Sequence, residues 1–418
     1  MTELGAELGS FESASRVARK VTGSRLSTST VKRCFVRAGR ELVRERDEAA
    51  ANYLGDRKRL KQVDGPPPRL GVISVDQFHV QVRARGEGRG VHKPRYVQVQ
   101  LGRLDRMLGQ RYERDPEPEP PGVFRDVVRL ERLCRELRRN RSEPSDGVGR
   151  KASATEQWRD GEAEKREAQK RRRRRHWPPK PLYTTYVATA RNIHAFGPML
   201  AAEAYRRRFA EAERAVFLSD GAEPNWGLHR SFFPWAVPVL DFAHACTHLW
   251  EAAEAASAVL GGSWREEAVR WVRALWQGKA KELVQRWQQL EEELQEEAAV
   301  VLRRHRRYLE RNLERMDYPR YRKEGLPITT ACIESGCKRM GLRLRGTEKF
   351  WNEPANRNYS PRTRRPPRGQ CVEAEEYSLE YAVHLRALAL SDGEPIARYY
   401  AARRGNPYVG RASRLAAA

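Results

Sequence analysis

The chain is poor in lysine, in acids relative to bases, in cysteine and in long apolar runs, and each shortage removes a class of protein. Its 418 residues carry 80 Lys+Arg against 55 Asp+Glu, a formal net charge of +25. Lysine supplies 14 of those bases and arginine the other 66. Six cysteines in a chain of this length are too few for a disulfide framework. No apolar run approaches the roughly 18 residues that suggest a membrane span. The opening MTELGAELGS is acidic and has no apolar stretch, unlike a secretory signal. These absences lead to the expectation of a cytosolic, reduced protein.

What is present narrows the field further. At roughly 150 residues per domain the length suggests two or three domains, enough to bury a sizeable core. The charge surplus calls for a polyanionic partner or a strong reason to tolerate self-repulsion, and nucleic acid is the leading candidate for such a partner. A GC-rich genome would favour arginine over lysine, but it would not unbalance the signs. Arginine's planar fork also matches phosphate in two places at once, as lysine does not.

Periodicity divides the chain. Residues 10–47 read as two or three short helices, with Ser10 and Ser13 as suitable N-caps and Phe11, Ala14, Val17 and Ala18 at helical spacing. A turn near Gly23 and the run Ser27, Thr28, Ser29, Thr30 lead into Val31, Cys34, Phe35 and Val36. This pattern resembles a helix-turn-helix with Lys32 and Arg33 near the start of its second helix, although an ordinary helical hairpin reads the same way. After a Pro-rich linker at 63–69, three strands are predicted: Leu70–Val75, residues 78–84, and one around Val97, Val99 and Leu101. Residues 105–180 break the pattern. They hold a Pro/Glu run, a short helix near 124–139 and a charged stretch ending in Arg171–Arg175. Then come a strand at Leu182–Ala188, a helix over 194–212, and apolar strands at Ala215–Ser219 and Ala236–Leu240. A Trp-rich helical block spans 242–316, and Glu334 opens a helix that runs towards Gly341.

The fold class expected is α/β. Residues 1–62 form an N-terminal helical DNA-binding region, and 70–104 with 181–245 form two parts of a mixed-sheet core. Residues 105–180 form a charged, flexible insertion and 246–326 an all-α insertion. The acidic helix and a basic strand occupy 327–351, and 352–418 is an atypical C-terminal region.

Three acids sit where solubility does not require them. Asp76 follows the strand Leu70–Val75, Asp220 follows Ala215–Ser219, and Glu334 lies on the first turn of a helix. A carboxylate at the end of a buried strand is partly desolvated, which is unfavourable unless it meets a metal or a donor. Each alone is more often a turn former or a helix cap. Together they give strand–Asp, two strands, helix, strand–Asp, strand, helix–Glu, the succession of an RNase H-like catalytic core.

Four stretches carry a family resemblance. They are Gly9–Ala18 with Ser27–Val31; Val216–Ala222 with Asn225 and Trp226; Pro238–His244; and Gly325–Lys338 continuing through Arg343–Trp351. On these residues the chain is similar to bacterial insertion-sequence transposases of the Kra type, relatives of the Mutator-like DDE transposases. The resemblance implies an RNase H-like core with an all-α insertion before the last catalytic helix. Asp76, Asp220 and Glu334 would be the triad holding two Mg²⁺ ions, with Mn²⁺ able to substitute. Asp241 and His244 match an Asp-x-x-His element and would stand behind the metal ligands. The implied activity is cleavage of DNA ends followed by strand transfer from a 3′-hydroxyl. The implied partners are double-stranded transposon ends and target, bound by a homo-dimer or larger assembly associated with the nucleoid.

Two departures from the family are plain. Gln77 follows Asp76 where many relatives have Gly, and residues 352–381 do not follow the family pattern. The second keeps open an alternative, a decayed or domesticated transposase that binds DNA without cutting it. A metal-free carboxylate-pair hydrolase acting on sugars is a third reading, opposed by the charge. Lys338, Arg343, Arg345 and Lys349 are candidate phosphate contacts beside the third acid. Trp226 and Trp351 would stack on unpaired bases or serve the core. The string His244, Cys246, His248 resembles a zinc motif, but alternate spacing on a helix disperses its side chains.

Overall fold

The apolar run that opens at Leu70 continues through the expected break at Val75. In the computed structural model, which describes residues 1–23, 26–84, 95–142, 177–346, 351–352 and 378–402, Leu70–Arg83 is one strand, β1. Its first six residues are all buried and the remainder alternate, because the first part is covered on both faces and the second on one. The two strands read from the sequence are therefore one. β2 (Arg95–Leu108) lies antiparallel to β1, and β3 (Lys180–Thr189) lies antiparallel to β2. On the other side of β1, β4 (Arg214–Ser219) runs parallel to it, and β5 (Val237–Leu240) runs parallel to β4. The sheet order is β3-β2-β1-β4-β5, and the short β6 (Trp351–Asn352) pairs with the far end of β1. The chain is thus α/β with a mixed sheet.

The helices fall on this sheet in two groups. The N-terminal group is α1 (Thr2–Glu7), α2 (Phe11–Thr22) and α3 (Thr28–Gly55). Ser10 and Ser27 cap α2 and α3, each accepting from the backbone N–H three residues on. α3 is a single helix of 28 residues, where shorter ones were expected, and α1 was not anticipated. Between the strands come α4 (Gly122–Arg125), α5 (Val127–Ser142), α6 (Ile193–Arg206), α7 (Glu223–Phe232), α8 (Phe242–Ala255), α9 (Trp264–Trp276), α10 (Ala280–Glu293), α11 (Glu296–Asn312) and α12 (Tyr318–Lys323). The last three are α13 (Ala331–Leu344), α14 (Ser378–Leu390) and α15 (Pro395–Ala401).

Two hydrophobic cores result. The larger holds the parallel part of the sheet with α5 to α12, including Trp271 packed on Trp287 at 5.2 Å between ring centres. The smaller holds the outer half of β1, parts of β2 and β3, and α1, α3, α13 and α14. α14 is buried on nearly all sides, its charged Glu380, His384 and Arg386 included. It crosses α3 at Gly39, where a Cβ would stand 2.6 Å from that of Tyr381. Part of the expected flexible insertion is also built in. Residues 105–108 complete β2 with Asp105 fully buried, and α5 packs Leu130 and Cys134 into the larger core. The Arg171–Arg175 run lies outside the described residues. Among the described residues no helix is long and apolar enough to cross a membrane.

Candidate active site

β4 and β5 stop just before Asp220 and Asp241, and Asp76 lies within β1 at the level where its parallel pairing with β4 ends. β1 pairs Ser74 with Leu218 of β4, so two further steps bring Asp76 beside Asp220. β4 pairs Ser219 with Leu240 of β5, so one further step brings Asp220 beside Asp241. The Asp241 N–H donates to Ser219 O at 2.8 Å and fastens that last step. A row of three acids on neighbouring strands follows directly from parallel pairing. Ligand sites in open α/β sheets gather at strand carboxyl ends.

The seam between the two cores runs through this row. Val75 belongs to the larger core and Phe78 to the smaller, with Asp76 between them. Ile328 and Ile333 divide in the same way around Thr330. α13 is laid across the seam by named bonds. Asp241 Oδ1 accepts from the Thr330 N–H at 2.7 Å, and the Phe242 N–H donates to Ile328 O at 2.9 Å. Glu334 donates its N–H to Thr330 O at 3.1 Å, and the Thr330 hydroxyl donates to Glu334 Oε1 at 3.3 Å. One turn on, the Cys337 thiol donates to Asp76 Oδ2 at 3.3 Å. The face of α13 that carries Glu334 and Cys337 therefore looks onto the aspartate row.

Each acid has a distinct electrostatic setting. Burial, and then the adjacent charge of Asp220, pushes Asp76 up to about 6. Burial, and then the charge of Asp241, raises Glu334 above its ordinary value. Burial opposes the charge on Asp241, but hydrogen bonds from His244 and Thr330 outweigh it and hold that carboxyl below its ordinary range. Its Oδ2 accepts the His244 N–H at 2.8 Å and ring Nδ1 at 2.5 Å. Donation from Nδ1–H leaves Nε2 as the basic nitrogen of the neutral ring. Asp220 turns one oxygen inward. Its Oδ1 accepts from Ala222 N, Asn225 Nδ2 and Ser219 Oγ at 3.1–3.2 Å, and Oδ2 accepts no hydrogen bond from the described residues.

The turn after Asp220 depends on glycine. Gly221 has φ +93°, and a Cβ there would meet the Tyr308 hydroxyl at 2.5 Å. Tyr308, on α11, donates to Asp220 O at 3.0 Å and stacks on His248 at 3.6 Å.

Two groups of side chains are spaced so that they could hold a cation. Asp241, His244 and Glu334 place ligand atoms within 4.8 Å of one another, next to Asp76 and Asp220. His248, Glu251 and His305 form the second, in which the Glu251 carboxylate is paired with Arg138 at 2.8 Å. Cys246, the middle residue of the string His244, Cys246, His248, is fully buried in the larger core.

The expected DNA contacts are placed unevenly. Lys32 and Arg33 are exposed near the N-terminus of α3, and Lys338 is exposed one turn beyond Glu334. Arg343 is buried. It donates to Gly5 O at 2.7 Å, and its guanidinium lies 5.3 Å from the centre of the Trp351 ring. Burial pushes Arg343 down to about 10. Arg345 donates to His79 O at 2.9 Å and lies over Phe78. Trp226 is 1% exposed and roofed by Arg315 at 4.3 Å, so it serves the core. Trp351 is half-buried and donates to Leu344 O at 2.9 Å. Lys349 lies outside the described residues.

Several groups around the acids were given no role by the sequence. Thr330, Asn225, Tyr308 and Cys337 all bond the acids or their backbone. The i,i+3 spacing of Cys337 from Glu334 was the one visible hint. Compared with models of known protein families, with curated proteins and with solved structures, the chain has no match.

Proposed function

We infer that the chain is a DDE-type DNA transposase built on an RNase H-like core. The observation that carries the reading is the row of Asp76, within β1, and Asp220 and Asp241, at the ends of β4 and β5, on three neighbouring parallel strands, with Glu334 laid across it by α13. The element order supports it: β1 with Asp76, β2, α4, α5, β3, α6, β4 followed by Asp220, α7, β5, the helical block, and α13 with Glu334. The sequence resemblance and the +25 charge point to the same substrate, double-stranded DNA.

The residues fit a divalent metal by their chemistry. Carboxylate oxygens are the hard ligands that Mg²⁺ prefers. Asp76 and Asp220 repel one another in a sheltered place, a conflict that a divalent cation resolves. Asp76, Asp220 and Glu334 would hold the metal. When bound, two Mg²⁺ ions supply activation of the attacking oxygen and stabilisation of the leaving oxygen in an in-line displacement at phosphorus. Mn²⁺ would substitute.

The chain's own groups orient this centre. Ala222, Asn225 and Ser219 fix Asp220 Oδ1 and leave Oδ2 for a ligand. Asp241 ties α13 to the sheet and sets the tautomer of His244. Lys338 stands beside the site as an exposed phosphate contact. The reaction proposed is hydrolysis at the element's end, leaving a 3′-hydroxyl, then attack of that hydroxyl on a target phosphodiester. Joining two ends calls for at least a dimer on DNA.

The test uses purified full-length protein, Mg²⁺ and a plasmid carrying the DNA that flanks the gene. Nicks ending in 3′-hydroxyls are expected with the wild type, and none with Asp220→Asn or in chelator. Cleavage that survives Asp220→Asn would show the triad to be wrong. Binding without nicking by the wild type would favour the decayed, DNA-binding alternative.

A further inference from the structure

Most arginines near the site are occupied within the fold. Arg103 pairs with Asp105 at 2.7 Å, Arg322 is fully buried against Asp115, and Arg343 and Arg345 donate to backbone carbonyls. α11 divides its own arginines by face. Arg303 and Arg306 turn inward and pair with Glu291 of α10, at 3.3 and 2.6 Å, and Arg306 also holds Glu310. Arg304, Arg307 and Arg311 lie at i, i+3 and i+7, on one exposed stripe. Among the described residues none of the three makes an ion pair. The polar partners of Arg304 and Arg311 are the ring of His305 and the carbonyl of Arg307. Together with Val300, Arg303 and Glu310 they line one open groove.

Three like charges on one stripe repel, and the acid that lines the groove with them, Glu310, is paired with Arg306. The stripe is also tied to the acids. Tyr308, on the same helix, donates to Asp220 O, and beyond the helix Arg315 bonds Arg311 O and covers Trp226. Seven residues of helix span about 10 Å. Along one strand of duplex that length carries about three phosphates at roughly 3.4 Å of axis each.

We propose that the outward stripe of α11, Arg304, Arg307 and Arg311, grips the phosphate backbone of duplex DNA leading into the carboxylate site. The proposal rests on the transposase reading and names where the duplex lies. It moves the phosphate grip from Arg343 and Arg345, which the fold occupies, to arginines that it leaves open.

The test is equilibrium binding of full-length protein to a fluorescent 30-base-pair duplex across a salt series. Compared are the wild type, Arg304→Ala/Arg307→Ala/Arg311→Ala, the corresponding triple Lys variant, and Lys281→Ala/Arg286→Ala as a surface control on α10. Each phosphate contact contributes about 0.9 to the slope of log K against log salt. The triple Ala variant is therefore expected to bind more weakly, with a slope shallower by about 2 to 3. The triple Lys variant and the α10 control are expected to keep the wild-type slope. An unchanged slope in the triple Ala variant, or an equal loss in the control, overturns the stripe and leaves the transposase reading standing. A wild type that does not bind the duplex overturns both.

Discussion

Asp241 shows how one side chain can serve the site without touching substrate. Its two oxygens accept from Thr330, from the His244 backbone and from the His244 ring, so its charge is fully answered inside the protein. Asp76 and Asp220 are answered only in part, and they face each other. The distinction separates a positioning residue from the proposed metal ligands, and it predicts different consequences. Asp241→Ala leaves the buried Thr330 N–H without an acceptor, a loss of about 1 to 3 kcal/mol. The first turn of α13 should then exchange its amide hydrogens faster while β1 keeps its protection, and cleavage should fall although all three proposed ligands remain. Unaltered exchange at Thr330 and Glu334 would contradict the positioning role.

At the level of elements, the parts that the sequence made legible were those governed by local rules. Strand-ending acids, helix caps and the tryptophan block each follow from periodicity or capping chemistry, and Ser10, Ser27, β4 and β5 lie where those rules put them. The merging of two expected strands into β1 was not legible, because the change from two covered faces to one looks like a break in pattern. α1 and α14 were missed for a related reason. Both pack into the smaller core against α3, and Gly39 reads as a helix weakness until Tyr381 is seen against it. The acids themselves were legible as candidates, but their supports were not. Asn225, Tyr308, Thr330 and Cys337 reach the site through tertiary contacts, and no local pattern distinguishes them from other polar residues. The fates of Arg343 and Arg345 were hidden similarly, since charge alone does not say whether an arginine faces solvent or a carbonyl.

Over the whole molecule, a buried ionic cluster joins the chain's two ends to the sheet. Arg46 and Asp47 of α3, Arg191 after β3, and Glu380 of α14 pair at 2.6–3.8 Å, and Thr189 and the Ala190 N–H complete Glu380's bonds. Burial opposes the charge on Glu380, but Arg46 and Arg191 outweigh it and hold its carboxyl down at about 2. Burial, and then Arg46, pushes the neighbouring His384 down to about 3. Both shifts have the same consequence for stability. The unfolded chain takes up a proton on His384 below its ordinary 6.5 and on Glu380 below 4.5, and the folded chain does so only near 3 and 2. The contribution of these two groups should thus decline as pH falls below about 6.5 and more steeply below about 4.5, while Asp76, raised to about 6, acts in the opposite sense between about 6 and 3.8. Urea titrations across that range test this. Glu380→Gln should lose about 3 to 5 kcal/mol at neutral pH, because two buried guanidiniums lose their counter-charge. A Glu380→Gln variant whose stability falls below pH 4.5 as steeply as that of the wild type would contradict the arrangement.

Asp76 has the opposite sign, and this allows the central claim to be tested without knowing the DNA sequence recognised. Its carboxyl is raised from 3.8 to about 6, so its ionised form disfavours the fold at neutral pH. A residue kept against stability beside two other acids is what a metal centre requires and a structural core does not. The direct measurement is thermal unfolding of the wild type and Asp76→Asn at pH 7.5, with chelator and with Mg²⁺ or Mn²⁺. In chelator, Asp76→Asn should melt higher than the wild type, because no charge is buried there and the repulsion from Asp220 is gone. With metal the wild type alone should rise, by a few degrees, as a ligand bound to the folded state requires. A wild type indifferent to both metals, together with an Asp76→Asn variant that melts lower, would contradict the account.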